Sequence, residues 1–132
     1  MFIPYKDDNP RILFPFITYI IIAINISVFL IQNYLALGNP SFNQIAIKTF
    51  GFTPKSFNFL TIFSSMFIHG GLGHIFSNMW FLYIFGDNVE SILGHINFLK
   101  FYLFCGLGAS ITQFCINPDS IIPMVGASGA IA

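Results

Sequence analysis

Two groups of polar residues stand out in an otherwise apolar sequence, because their types and spacing could support acyl transfer. The first is His69, His74 and Asn78. On a helix, His74 and Asn78 would lie on one face, one turn apart. The second is the Gly-Ala-Ser-Gly run at residues 126–129. Its glycines allow a sharp bend and close backbone approach, and a serine beginning a helix exposes its hydroxyl beside free N–H groups that favour an oxyanion.

Each group taken alone also has a plainer interpretation. A histidine and an asparagine that hydrogen-bond between helices would show the same spacing, and small residues around a serine are typical of close helix packing in membranes. Glu90 could be a helix-end carboxylate at the membrane surface or could brace a loop. His69 and His74 could be two metal ligands, but no carboxylate or cysteine follows at ligand spacing. We therefore predict no metal site.

The composition decides what must surround these groups. Hydrophobic residues make up 55% of the 132 residues and charged residues only 8%, whereas a soluble domain carries about 25% charged residues. Lipid must therefore cover much of the surface. The formal net charge is zero and no basic run exists, which argues against a nucleic-acid partner. The sequence predicts an all-α, polytopic transmembrane helical bundle.

The apolar runs set the order of the membrane spans. Spans are expected at about residues 14–37, 72–93 and 98–116, with the start of a fourth from about residue 126. Lys6 and Arg11 precede the first run, which is too long for a signal peptide and predicts a retained span. A turn is expected at 94–97. The connection at 38–71 carries many phenylalanines, and we expect it to lie in the membrane interface or on the bundle.

This topology brings the two polar groups to one side of the membrane. His74 lies near the start of the second span. The chain crosses in that span and returns in the third, so Ser128 lies on the same side as His74 and at a similar depth. A serine beside two side-chain donors is an arrangement suited to acyl transfer.

At these residues the sequence resembles the rhomboid family of intramembrane serine proteases. The resemblance rests on three signatures: H-x-x-x-x-H-x-x-x-N at His69, His74 and Asn78, G-x-S-G at Gly126, Ser128 and Gly129, and G-x-x-x-E at Gly86 and Glu90. It covers nearly the whole chain, here a partial rhomboid domain over residues 1–132.

The resemblance implies a role for each residue. Ser128 matches the nucleophile, and His74 and Asn78 match the side chains that stabilise the oxyanion together with the Ser128 N–H. The supporting positions are His69, Gly126, Gly129 and Glu90. The implied reaction is peptide hydrolysis through an acyl-enzyme, with transmembrane segments of other proteins as substrates and no cofactor. The implied location is a multi-pass protein of the inner or plasma membrane.

The sequence departs from the family pattern in two places. Leu60 and Thr61 stand where rhomboids often carry Trp-Arg. The family's general base is a histidine on the sixth span, and this sequence ends at Ala132. His74 is assigned to the oxyanion site and His95 lies at the opposite face, so we expect the 132 residues alone to be inactive.

Two other functions remain open from the sequence. The first is a non-catalytic rhomboid-like protein that binds membrane clients, against which the intact G-x-S-G argues. The second is a structural or transport fragment whose polar residues line a path through the membrane. The sparse charge and the absence of paired acidic groups argue against that one.

Overall fold

The computed structural model describes residues 13–132, where the secondary structure is helical apart from one isolated antiparallel bridge between Phe52 and Met124. The all-α prediction is confirmed. Lys6 and Arg11 lie outside the described residues. The helices are α1 (Phe16–Gly38), α2 (Phe42–Phe50), α3 (Phe59–Ser64), α4 (Leu72–Leu93), α5 (His95–Ile116) and α6 (Ser128–Ile131), with 3₁₀ turns at Pro54–Ser56 and Ser65–Phe67.

Two of the long helices, α1 and α5, are each long and apolar enough to cross a membrane. Residues Phe59–Phe67 and α4 reach that apolarity only together, as a pair bent by 89° that is either a broken span or a re-entrant loop. The buried residues of α1 follow a three- and four-residue spacing (Thr18, Ile21, Asn25, Phe29 and Gln32). They form one stripe that faces the bundle and contains Thr18, Asn25 and Gln32, while the other faces are mostly apolar and exposed to lipid.

The connection between α1 and α4 holds two short helices and two 3₁₀ turns. The Asn58 side chain caps α3 by accepting a hydrogen bond from the Leu60 N–H at 3.0 Å. The Ser64 hydroxyl donates to the Phe50 carbonyl at 2.7 Å and so ties α3 to the end of α2. Several of its aromatic side chains are exposed, among them Phe50, Phe57 and Phe59.

The turn between α4 and α5 is shorter than the four residues predicted at 94–97. Gly94 alone separates the two helices, and its φ of +76° reverses the chain within one residue. Glycine populates this left-handed region without the steric penalty of a Cβ. Helix α5 therefore begins at His95, three residues earlier than the expected start at residue 98.

Glu90 joins the start of α1 to the far end of α4. Its side chain is fully buried. One carboxylate oxygen accepts the Ile17 N–H at 2.8 Å, and the other accepts the Thr18 N–H at 2.8 Å and the Thr18 hydroxyl at 2.6 Å. The first-turn N–H groups of a helix have no partner within the helix, and a negative charge there also complements the helix dipole. His95 Nδ1 lies 2.5 Å from the same carboxylate.

Candidate active site

The first two turns of α4 carry His74 and Asn78, which were predicted to lie on one face of a helix, one turn apart. Asn78 is buried, and its Nδ2 donates to the His74 carbonyl at 2.9 Å. An amide nitrogen carries two hydrogens, so one N–H remains for another acceptor. His74 is partly buried. The two side chains therefore start from successive turns on one face of α4.

The chain segment before Ser128 is hydrogen-bonded at alternate residues to the first connection, which is the stretch between α1 and α4 (residues 39–71). Met124 exchanges two backbone hydrogen bonds with Phe52, at 3.0 and 2.8 Å. The Gly126 N–H donates to the Ser65 carbonyl at 2.8 Å. This extended segment therefore reaches Ser128 with its backbone position fixed.

Gly126 packs directly against the α4 pair. A Cβ built at this position would lie 2.6 Å from His74 Nε2 and 3.5 Å from Asn78 Nδ2. Its φ is +102°, a region that residues with a side chain rarely adopt. Only glycine allows the backbone to touch the imidazole in this way, and the contact holds the chain against His74 and Asn78 two residues before Ser128.

Ser128 is the first residue of α6, and its side chain is exposed. It opens onto a cleft of about 420 Å³ that Asn78 also lines, together with Ser77, Phe81, Phe85, Ile131 and Ala132. Within α6 the first N–H to find a helical acceptor is that of Ala130. The Ser128 N–H precedes it, so the helix does not consume this donor.

His69, a supporting position implied by the resemblance, contacts both His74 and the segment before Ser128. The residue is fully buried, and its ring lies 5.2 Å from that of His74 in an edge-on arrangement. Its Nε2 accepts the Ala127 N–H at 3.5 Å, which requires an unprotonated nitrogen. Its carbonyl accepts the Gln32 amide at 3.2 Å. Gln32 and Ser65 were missed, since each contributes through a backbone partner that no motif reveals.

The remaining predicted residues lie away from Ser128 or contact other elements. Gly129 faces α5, where an added Cβ would lie 2.7 Å from the Ala109 Cβ. Glu90 and His95 contact each other where α4 meets α5, some four turns of α4 from His74. Among residues 13–132 no three His, Cys, Asp or Glu side chains are placed to hold a metal ion.

Comparison with known proteins supports membership of the same family that the sequence signatures indicate. The Rhomboid domain family model matches residues 56–132. The chain is 32% identical over 111 residues to the chloroplastic Rhomboid-like protein 11 of Arabidopsis thaliana, covering 84% of this chain and 37% of that protein. It is 31% identical over 121 residues to the Rhomboid protease GluP of Bacillus subtilis, covering 89% and 23%.

A mitochondrial relative extends the range of these similarities. The human presenilin-associated rhomboid-like protein is 31% identical over 114 residues, covering 84% of this chain and 29% of that protein. The chain thus spans less than two fifths of the length of these curated relatives. No solved structure gives a significant match. The matched residues 56–132 are more than half of the chain and include all three signatures, so the chain belongs to the rhomboid family.

Proposed function

We propose that the full-length protein carrying this chain is an intramembrane serine endopeptidase that cleaves transmembrane segments of other membrane proteins. The observation that carries this proposal is the contact of Gly126 with His74 and Asn78, beside a serine that opens onto the same cleft as Asn78. The cleft has aromatic walls: Phe81 and Phe85 are 41% and 44% exposed, and this suits an apolar peptide segment.

The chemistry follows from the side chains at the cleft. Ser128 Oγ attacks the scissile carbonyl carbon, and the carbonyl oxygen takes up negative charge. We assign His74, the free N–H of Asn78 and the Ser128 N–H to hold that oxygen. The C–N bond then breaks, the amine leaves with a proton, and water hydrolyses the remaining ester.

The proton must be accepted by a base outside these residues. His69 Nε2 accepts the Ala127 N–H, His74 belongs to the oxyanion site, and His95 contacts Glu90 elsewhere. We infer that another part of the complete protein supplies the base, as the sixth-span histidine does in the family. The 132 residues alone are then expected to be inactive. Cleavage of a transmembrane reporter by this segment, lost on Ser128→Ala, would contradict that expectation.

The nucleophile is tested by labelling the full-length protein in detergent with a fluorophosphonate probe. Ser128→Ala should abolish labelling, whereas Ser27→Ala, a change of an exposed serine on α1, should leave it intact. Labelling that persists in the Ser128 variant shows that another residue reacts. If the wild-type protein binds a membrane client but neither reacts with the probe nor cleaves the client, the non-catalytic alternative is correct.

The oxyanion role is tested by cleavage kinetics on a transmembrane reporter. Asn78→Ala should lower kcat by about 10²- to 10³-fold, the usual cost of one oxyanion donor. Asn97→Ala is a matched control, since Asn97 Nδ2 bonds the carbonyl four residues earlier at 3.1 Å, as Asn78 does. A loss of similar size in both variants would assign the Asn78 effect to helix stability.

We also propose that the protein resides in the cell's inner or plasma membrane. The apolar helices α1 and α5 support an integral membrane protein. A fluorescent-protein fusion and membrane fractionation would test the location, and recovery in a mitochondrial or chloroplast membrane would overturn it.

A further inference from the structure

A second cleft, separate from the one at Ser128, lies where the first connection meets the segment that leads to Ser128. Its volume is about 300 Å³. One wall comes from the end of α2 and the 3₁₀ turn after it, and the other from residues 121–123. The lining residues are Lys48, Thr53, Lys55, Ser56, Ile121 and Pro123.

The charge of this cleft is uncompensated. Two of the chain's five basic residues line it, and no carboxylate does. Asp119 is nearby in sequence but is not part of the lining. Across residues 13–132 neither Lys48 nor Lys55 forms an ion pair. Two ammonium groups beside two hydroxyl side chains make a cleft of hydrogen-bond donors that attracts an anion.

The surroundings of the cleft indicate which anion. Phe50, Phe57, Phe59 and Leu60 belong to the same connection and are 48%, 55%, 58% and 74% exposed. Exposed aromatic residues beside lysines are typical of a surface at the membrane interface. There the aromatic rings reach the acyl boundary, and lysines lie at the level of lipid phosphates. A site for a soluble anion has no need of this apolar border.

We propose that this cleft binds the phosphate of an anionic phospholipid. The ammonium groups of Lys48 and Lys55 bind the phosphate oxygens, and the hydroxyls of Thr53 and Ser56 donate to them. The two walls are already linked, because the Lys55 N–H donates to the Ser120 carbonyl at 3.1 Å. A phosphate held between the walls therefore stabilises the contact between the first connection and the segment before Ser128. This site is independent of the proposed proteolysis.

The proposal is tested on the full-length protein in mixed micelles, with native mass spectrometry to count retained lipids. The wild-type protein should retain phosphatidylglycerol over phosphatidylcholine. Lys48→Gln and Lys55→Gln should each weaken retention of phosphatidylglycerol about fivefold, since a juxtamembrane lysine contributes roughly that factor. Lys100→Gln is the matched control. Lys100 is exposed near the start of α5, whereas the cleft lies beyond the end of that helix, so this variant should retain the lipid as the wild-type protein does.

A second pair of variants and a second ligand complete the test. Replacing both lysines by arginine keeps the charge and should keep the preference for phosphatidylglycerol. Replacing both Lys48 and Lys55 by glutamine should lower the retention of phosphatidylglycerol further. Unchanged retention in that double variant would overturn the site, and so would an equal loss of the lipid in Lys100→Gln. The second ligand is inorganic phosphate, and the readout is the midpoint temperature of thermal unfolding of the protein. Phosphatidylglycerol should raise this midpoint, whereas millimolar inorganic phosphate should not. An equal rise with both would identify free phosphate as the ligand and overturn the lipid assignment.

Discussion

Replacing Glu90 by glutamine should destabilise the bundle without touching the cleft at Ser128. The carboxylate accepts hydrogen bonds at both oxygens from the first turn of α1. Glutamine keeps one oxygen and turns the other into an N–H₂ group. In either orientation that group faces a backbone N–H of Ile17 or Thr18, so at least one buried donor loses its acceptor.

The magnitude can be bracketed from the contacts. Each oxygen takes part in two of the four polar contacts, counting the one with His95. At the average of ~0.6 kcal/mol measured for polar contacts between membrane helices, losing two costs about 1 kcal/mol. At the ~1.5–3 kcal/mol of each hydrogen bond to a charged group, losing two costs ~3–6 kcal/mol. We expect about 2 kcal/mol, because unfolded helices in the membrane find partial replacements.

The assay is unfolding of the full-length protein in mixed micelles of increasing dodecyl sulfate content. Ser91→Ala is the control, since Ser91 follows Glu90 in α4 and the change should stay within ~0.5 kcal/mol. Thr18→Val removes only the hydroxyl bond, and a double-mutant cycle with Glu90→Gln should show a coupling of at least ~0.5 kcal/mol. A Glu90→Gln protein as stable as the control, or strictly additive effects in the cycle, would refute the reasoning.

Three glycines give further predictions that separate rigid from adaptable contacts. Gly126→Ala should lower cleavage of a transmembrane reporter by about 10²-fold or more, since a small displacement near the reacting atoms has that effect. The control is Gly73→Ala, which should retain activity because no atom lies within 4 Å of its new Cβ. Equal losses in the two variants would contradict the packing argument. In Gly51→Ala the new Cβ meets the Ile47 carbonyl oxygen, and it lies 2.9 Å from carbons of Pro123 and Val125. The change should cost ~1–3 kcal/mol in the unfolding assay. Gly106→Ala meets the flexible end of Met66 and should cost less, so the reverse order would show that this methionine cannot move.

The sequence was most informative where the chain crosses the membrane. An uncharged run of spanning length forces internal hydrogen bonding, so the helix ending near residue 38 follows from composition and length alone. The helix at residues 72–93 was predicted from its apolar residues although it contains Asp87 and Glu90. The turn at Gly94 was predicted at the right place but with four residues, whereas only Gly94 separates the two helices. Sequence patterns indicate that a chain reverses, but they do not show that one glycine at positive φ is sufficient.

The first connection and the support of the site could not be read from the sequence. Short helices such as α2 and α3 depend on packing against the bundle, and their mixture of phenylalanine and polar residues has no clear period. The G-x-S-G motif identified Gly126, but its contact with His74 depends on the backbone path between two residues that are 52 positions apart in the sequence. The role of Gln32 could not be predicted, because its side chain donates a hydrogen bond to the backbone carbonyl of His69, and any residue type supplies a carbonyl.

The cap that Glu90 places on α1 also sets an order in time. The carboxylate and the Thr18 N–H that it accepts are 72 residues apart in sequence. At a synthesis rate of roughly 5–20 residues per second, the first turn of α1 waits about 4 to 14 seconds for its acceptor to be made. During that interval water and lipid headgroups must satisfy these N–H groups, so the nascent α1 keeps its first turn at the membrane surface until α4 has been inserted.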